Sequence, residues 1–359
     1  MVKTDSWLED LRRQLPWLVE ETVRRQYEKK SSLVTDNDEG RDQALRDARF
    51  HLDYLLVSLE NDSQILFNAY IQWAGDLYTH LRMPPDLLPD FFHTVLDLLL
   101  SLVKENQFTT AHYQCVEAAV HQAFSETKQP ATSKNHDNLT KRPLQSELDA
   151  YTTRLLAADR SGAAALVHDL LGRGVDLKDL YRHLFHPFQL QLGHLWQQNK
   201  INVAQEHYAT AATQYVMSLL YERILAIPKN DKVFLATCVS GELHEMGIRM
   251  VCDYLECCHW NTHYLGANTP ETAVVEAVLE KKPDVVAVSC TMLYHLPRVT
   301  HLIRHLKDAG VTTPVLVGGY PFNIDPLLWQ KTGADGTAGS FDHIYQTIES
   351  LTGGIIHES

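Results

Sequence analysis

Residues 232–247 read Lys232-Val-Phe-Leu-Ala-Thr-Cys238 and then Val239-Ser-Gly-Glu-Leu-His-Glu-Met-Gly247. The first part is mostly apolar and rich in β-branched and aromatic residues. It starts just after Pro228 and stops at a Ser-Gly turn, the pattern of a strand buried on both faces. The pattern recurs downstream. Residues 259–266 read as a second strand, 284–289 (Asp284-Val-Val-Ala-Val-Ser289) as a third, 313–317 as a fourth and 334–338 as a short last one. Helical stretches separate them, at 242–255, 271–280, 296–308 and 341–351. Strict strand–helix alternation with apolar strands predicts a parallel sheet covered on both faces. Ligands of such sheets sit at the carboxyl ends of the strands, in the strand-to-helix loops.

Upstream the chain reads as helical. Stretches near 144–158, 163–171, 176–198 and 202–226, separated by short breaks, predict a small four-helix bundle. Residues 125–143 (SETKQPATSKNHDNLTKRP) are polar, carry two prolines and lack periodicity, as a linker does. Before them, residues 43–75 show one amphipathic period, with Leu45, Ala48, Leu52, Leu55, Leu56 and Leu59 three or four apart. After Pro84-Pro85 a second apolar helix follows over 87–103. Trp7, Trp17, Phe50, Tyr54, Phe67, Tyr70, Trp73, Phe91 and Phe92 make this region aromatic-rich, either as a helical core or as a pocket for a planar ligand. The expected organisation is multidomain. An all-α domain (1–126) and a linker (127–143) precede a helical bundle (144–228) and an α/β Rossmann-like, flavodoxin-like parallel-sheet domain (229–359).

At 359 residues, with 32 Lys plus Arg against 45 Asp plus Glu, the formal charge is -13. That balance lacks the basic footprint of a nucleic-acid binder and disfavours an anionic membrane surface. The first residues have no apolar core of a signal peptide, and no stretch reaches the roughly 18–20 apolar residues of a membrane span. The six cysteines include no Cys-x-x-Cys pair, which suits free thiols in a reducing cytoplasm. Cys115 reads as a small core residue. The 19 histidines are a surplus to be explained.

The loops carry the chemistry. After the first strand, Glu242, His244 and Gly247 place a carboxylate two residues before an imidazole, the partner a metal-ligating histidine needs. The third strand ends in Ser289-Cys290-Thr291, with two hydroxyls, and the fourth in Gly318-Gly319, where backbone can approach closely. Together, Glu242-x-His244-x-x-Gly247, Ser289-x-Thr291 and Gly318-Gly319 resemble the motif of the cobalamin-binding Rossmann-like domain, with Glu242 where Asp is usual. The resemblance spans about residues 232–350. It implies that His244 is the lower axial cobalt ligand, replacing the corrinoid's own base, and that the nucleotide tail lies near Ser289, Thr291 and the glycines.

In the bundle, Trp196, nine further residues and then Glu206-His207 resemble the helical cap of CarH-type cobalamin photoreceptors. Corrinoid shuttle proteins, the alternative, have a bundle without that set so placed. The resemblance implies adenosylcobalamin with Trp196 packed beside the adenosyl group and Glu206 hydrogen-bonded to it. It also implies light-driven loss of that group, after which His207 approaches cobalt as an upper ligand. It further implies a sensor, not an enzyme, whose domain packing or self-association responds to light. CarH-type regulators begin with a DNA-binding domain. No basic recognition helix is found here, so direct DNA binding is not expected, and output is expected through self-association or a separate effector. The whole layout resembles the photocobilins, which pair cobalamin with biliverdin. On that resemblance the bilin candidates are Arg46, Arg49, His51, Tyr54 and Trp73.

Overall fold

The computed structural model describes residues 6–29, 38–105, 107–126, 143–338 and 341–353. The expected linker, 127–143, lies outside the described residues except for its last position. The chain forms two compact units, Met1–Lys134 and Asn135–Ser359.

The described part of the first unit is helical: α1 (Ser6–Lys29), α2 (Asp38–Glu60), α3 (Gln64–His80), α4 (Leu87–Lys104) and α5 (Thr110–Glu126). The period of α4 explains its place at the centre. Leu88, Phe91, Phe92, Val95, Leu96, Leu98, Leu99 and Leu102 are all buried, a broad apolar stripe at three- and four-residue spacing. The single helix expected across 43–75 is instead two. Asp62 adopts a left-handed conformation (φ 44°), its N–H bonds Leu59 O (3.0 Å), and Ser63 N–H reaches back to Ser58 O (3.0 Å). That bond pair is a Schellman motif, and a short polar side chain tolerates its left-handed position. Apolar residues resume after the turn at Leu66, Phe67, Tyr70 and Ile71 with three- and four-residue spacing, so periodicity alone does not mark the break. Cys115 is exposed, not buried. The buried face of α5 is Val116, Ala119, Val120 and Ala123, and Cys115 falls just off it.

The second unit opens with α6 (Gln145–Leu156), α7 (Arg160–Gly172) and α8 (Leu177–Leu180). A π-helical turn, Tyr181–Phe185, joins α8 to α9 (His186–Gln197), and α10 (Val203–Ser218) and α11 (Tyr221–Leu225) follow. The α/β part then runs β1 (Val233–Cys238), α12 (Met246–Cys257), β2 (Asn261–Tyr264), α13 (Glu271–Lys281), β3 (Val285–Ser289), α14 (Leu296–Asp308) and β4 (Val315–Gly318). It ends with α15 (Tyr320–Ile324), α16 (Leu328–Thr332), β5 (Gly336–Thr337) and α17 (Ile344–Leu351).

The five strands are all parallel, in the order β2-β1-β3-β4-β5. That is the flavodoxin-like order, whose connections diverge between β1 and β3. Register aligns Cys238 with Ser289 and Ser289 with Gly318, so the ends of β1, β3 and β4 form one row. One core runs from Tyr151, Tyr181, Phe185 and Phe188 of the bundle through Met250, Tyr254 and Leu255 of α12 to Phe234 and Ala236 of the sheet. Trp260 is fully buried beside Phe234, ring centroids 6.3 Å apart. Burying a ring of that size contributes on the order of 3 kcal/mol. No helix among the described residues is long and apolar enough to cross a membrane.

Candidate functional site

The site begins with a buried charge. Glu242 follows β1 and is 0% exposed. Its Oε1 accepts hydrogen bonds from His244 Nδ1 (2.6 Å) and His244 N (3.0 Å). Its Oε2 accepts from Thr291 N (2.8 Å) and Met292 N (2.9 Å) in the loop after β3, and lies 3.3 Å from His295 Nδ1. A single carboxylate thus ties together the two loops that diverge at the β1/β3 switch point. Burial alone would push the Glu242 carboxyl up. Hydrogen bonds from His244, His295 and the amides of Met292 and His244 outweigh it and hold the group well below the usual carboxylate range.

His244 is oriented by this arrangement. Its Nδ1–H is held by the carboxylate, its side chain is 60% exposed, and Nε2 has no hydrogen-bond partner among the described residues. The bond to Glu242 raises the His244 pKa against the effect of burial, and the charges of Glu242 and Glu206 add to the rise. An imidazole fixed through Nδ1 by a carboxylate, with Nε2 facing outward, is the donor chemistry of a metal-ligating histidine. These residues therefore fit the cobalt-ligand role expected of His244.

The neighbouring loops complete the floor. Ser289 is buried, and Thr291 is half-buried, with its backbone N–H on Glu242. The two glycines differ in role. Gly319 has φ 113°, and a Cβ there would meet Cys290 O at 2.0 Å, so glycine is required by the chain's own backbone. A Cβ on Gly318 or Gly247 would meet nothing within 4 Å. Gly318 and Gly247 therefore border open space.

The bundle side is built by two helix caps. Trp196 lies in the last turn of α9, half-buried against the core. Asn199 (φ 52°) ends that helix in a second Schellman motif, with Asn199 N to Trp196 O at 2.8 Å and Lys200 N to Leu195 O at 2.9 Å. Three residues on, Asn202 and Gln205 form a reciprocal capping box that starts α10. Glu206 follows in its first turn and His207 directly after it, so Trp196 lies at the end of one helix and Glu206 and His207 near the start of the next. Glu206 accepts from His207 Nδ1 (2.6 Å) and Thr210 Oγ1 (3.0 Å), while His207 is 74% exposed. The same unit joins α10 to the β1 loop through Gln214 Nε2 and Glu245 Oε1 (3.2 Å), and Tyr264 OH holds the other Glu245 oxygen (2.7 Å).

Sequence reasoning missed His295, Asn268 and Arg298. His295 is buried on Glu242, Asn268 Oδ1 accepts from Gly241 N (2.7 Å), and Arg298 donates to Ser240 O. All three grip the β1 loop from segments distant in sequence, and no local pattern marks them.

In the first unit, His51 is buried, with Nδ1 2.5 Å from Tyr70 OH and Nε2 3.0 Å from Tyr78 OH. Burial lowers its pKa to about 3, so it is a neutral hydrogen-bonding group. Tyr54 stacks on Tyr70 (4.0 Å), which stacks on half-buried Trp73 (6.1 Å). Arg46 and Arg49 are exposed on the same helix and bond Gln43 and Asp53.

Residues 232–349 match the family model described as a B12 binding domain, and residues 147–221 match a second such model. The chain therefore carries B12-binding domains, which indicate a cobalamin cofactor: it is a cobalamin-binding protein. It is similar to the HTH-type transcriptional repressor CarA of Myxococcus xanthus, 31% identical over 120 residues, or 33% of this chain. The match spans only 41% of CarA. It is also similar to trimethylamine corrinoid protein 1 of Methanosarcina acetivorans, 25% identical over 183 residues, covering 49% of this chain and 83% of that protein. The solved Methanosarcina barkeri monomethylamine corrinoid protein shares the fold, with a TM-score of 0.51 at 19% identity, over 58% of this chain and 99% of that one.

Proposed function

We propose that this chain is a light sensor that uses adenosylcobalamin held between the bundle and the Rossmann-like domain. The reading is supported by the α9–α10 junction, which carries Trp196 in the last turn of α9 and Glu206 and His207 near the start of α10, and by the Glu206 charge, which adds to the rise of the His244 pKa. Bound adenosylcobalamin supplies a cobalt–carbon bond that blue to green light breaks. The chain's own residues bind and orient. His244 offers Nε2 from below because Glu242 keeps the proton on Nδ1, and Gly247 and Gly318 leave room beside it. Trp196 and Glu206 would hold the adenosyl group, and His207, 74% exposed, would be available as a second cobalt ligand. The Gln214–Glu245 bond and the shared core are the contacts that a shift of the bundle would alter. Output then passes through light-dependent self-association or a separate effector protein, without enzymatic turnover.

A second chromophore, biliverdin, is proposed for the first unit. The Tyr54–Tyr70–Trp73 stack offers a planar wall, Arg46 and Arg49 offer exposed guanidinium groups for propionates, and His51 fixes Tyr70 through its hydroxyl. Co-expression with a haem oxygenase should give a red-absorbing species; a colourless first unit refutes it.

One observation favours a methyl-carrying corrinoid protein: the match to the trimethylamine corrinoid protein covers 83% of that relative. A dark and a light absorbance spectrum of the adenosylcobalamin-loaded protein separates the two. The sensor predicts an irreversible change under green light that alters in Trp196→Ala. A spectrum changed no faster than that of free cofactor, with methylation of reduced cobalt by a partner, refutes the sensor.

A further inference from the structure

We propose that Glu271, His301 and His305 form a surface site for a zinc-class divalent metal ion that ties α13 to α14. The site is separate from the residues assigned to cobalamin and does not depend on that assignment. Glu271 is the first residue of α13, and His301 and His305 stand one turn apart on α14. Residues four apart lie on the same helix face, so both imidazoles point the same way.

They converge on one carboxylate. His301 Nδ1 is 2.8 Å from both Glu271 oxygens, and His305 Nδ1 is 2.7 Å from Oε1. The two rings lie 4.8 Å apart, and the three ligand atoms all fall within 4.8 Å of one another. Zinc binds imidazole nitrogen and carboxylate oxygen at about 2.0–2.2 Å in a tetrahedron, which puts neighbouring ligand atoms about 3.3 Å apart. Small side-chain rotations bring this trio to that spacing. Two nitrogens and one oxygen leave a fourth position for water.

Without an ion the three groups form a pair of exposed His–Glu hydrogen bonds, which hold the side chains only weakly. They require both histidines to carry their proton on Nδ1 and one carboxylate to accept from both. A divalent ion in place of those two protons satisfies both nitrogens and the carboxylate at once. Exposures of 50%, 46% and 25% leave the group open to an ion from solvent. An N2O donor set suits zinc and its late first-row neighbours over magnesium or calcium, which prefer all-oxygen shells.

The test titrates the full-length protein with zinc ion against a chromophoric chelator. Wild type should hold one equivalent, and its melting temperature should rise with zinc. His301→Ala/His305→Ala and Glu271→Gln should each weaken that equivalent at least about tenfold, since even partners outside the coordination sphere cost 10–100-fold. All three side chains are exposed or half-exposed, so the variants should keep wild-type circular dichroism and melting temperature in chelator. Zinc binding unchanged in both variants overturns the proposal. So does an equivalent that survives in them and vanishes in His244→Ala, which would place the ion at the loop after β1.

Discussion

Glu242→Gln probes the geometry of the site most directly, because the amide has one acceptor where the carboxylate has two. Glu242 receives two hydrogen bonds from His244 on one oxygen and two backbone amides on the other. If the new NH2 faces Thr291 and Met292, two buried backbone N–H groups lose their acceptor. If it faces His244, the backbone N–H of His244 is orphaned and the imidazole must accept at Nδ1, which moves its proton to Nε2. The second arrangement strands fewer groups and should prevail. An orphaned buried donor costs about 1–3 kcal/mol, and two charge-assisted bonds become neutral ones at roughly 1 kcal/mol each. The expected loss is therefore about 3–5 kcal/mol in the unfolding of the second unit, read from urea titrations of cofactor-free protein. Because Nε2 then carries the proton, cobalamin affinity should also fall about 10–100-fold, read from the visible spectrum during titration. A variant within about 0.5 kcal/mol of wild type that binds cobalamin normally refutes the reasoning.

The remaining predictions concern the unit's frame. Asp253 is 7% exposed, accepts a hydrogen bond from Tyr181 OH (3.0 Å), and is raised by burial to about 7. The native state then holds a proton that the unfolded chain releases, so stability should fall as pH rises from about 4 to 7, by about 3–4 kcal/mol from this group. Urea midpoints across that range should flatten in Asp253→Asn; an unchanged slope would rule the account out. Gly319→Ala should cost about 3 kcal/mol or more, combining a glycine-only backbone conformation with the clash on Cys290 O, whereas Gly318→Ala should stay within about 0.5 kcal/mol. Equal melting temperatures for the two glycine variants would contradict that difference.

The sequence by itself determined the layers. Apolar runs of strand length between amphipathic helices report burial, and burial on both faces dictates a parallel sheet with helices on each side. It also determined that Glu242 precedes His244 by two residues on a strand-end loop, because that relation is local. The same local logic misled it over 43–75, where apolar period continued across a turn set by the left-handed Asp62, and at Cys115, one position off the buried stripe.

Only the tertiary structure decided which strands are neighbours, because strand pairing joins segments that no local period connects. The order β2-β1-β3 puts the β1 loop against the β3 loop, and so lets Glu242 hold amides 49 and 50 residues away. His295 and Asn268 enter the site for the same reason. Likewise Trp196 and Glu206-His207 were legible as residues. Their placement at the end of one helix and the start of the next depended on a Schellman turn and a capping box between them, and the Glu206 charge acts on His244 within a core shared by bundle and sheet. Periodicity encodes which face of an element is buried, and the packing of elements distant in sequence decides what meets at the open end of the sheet.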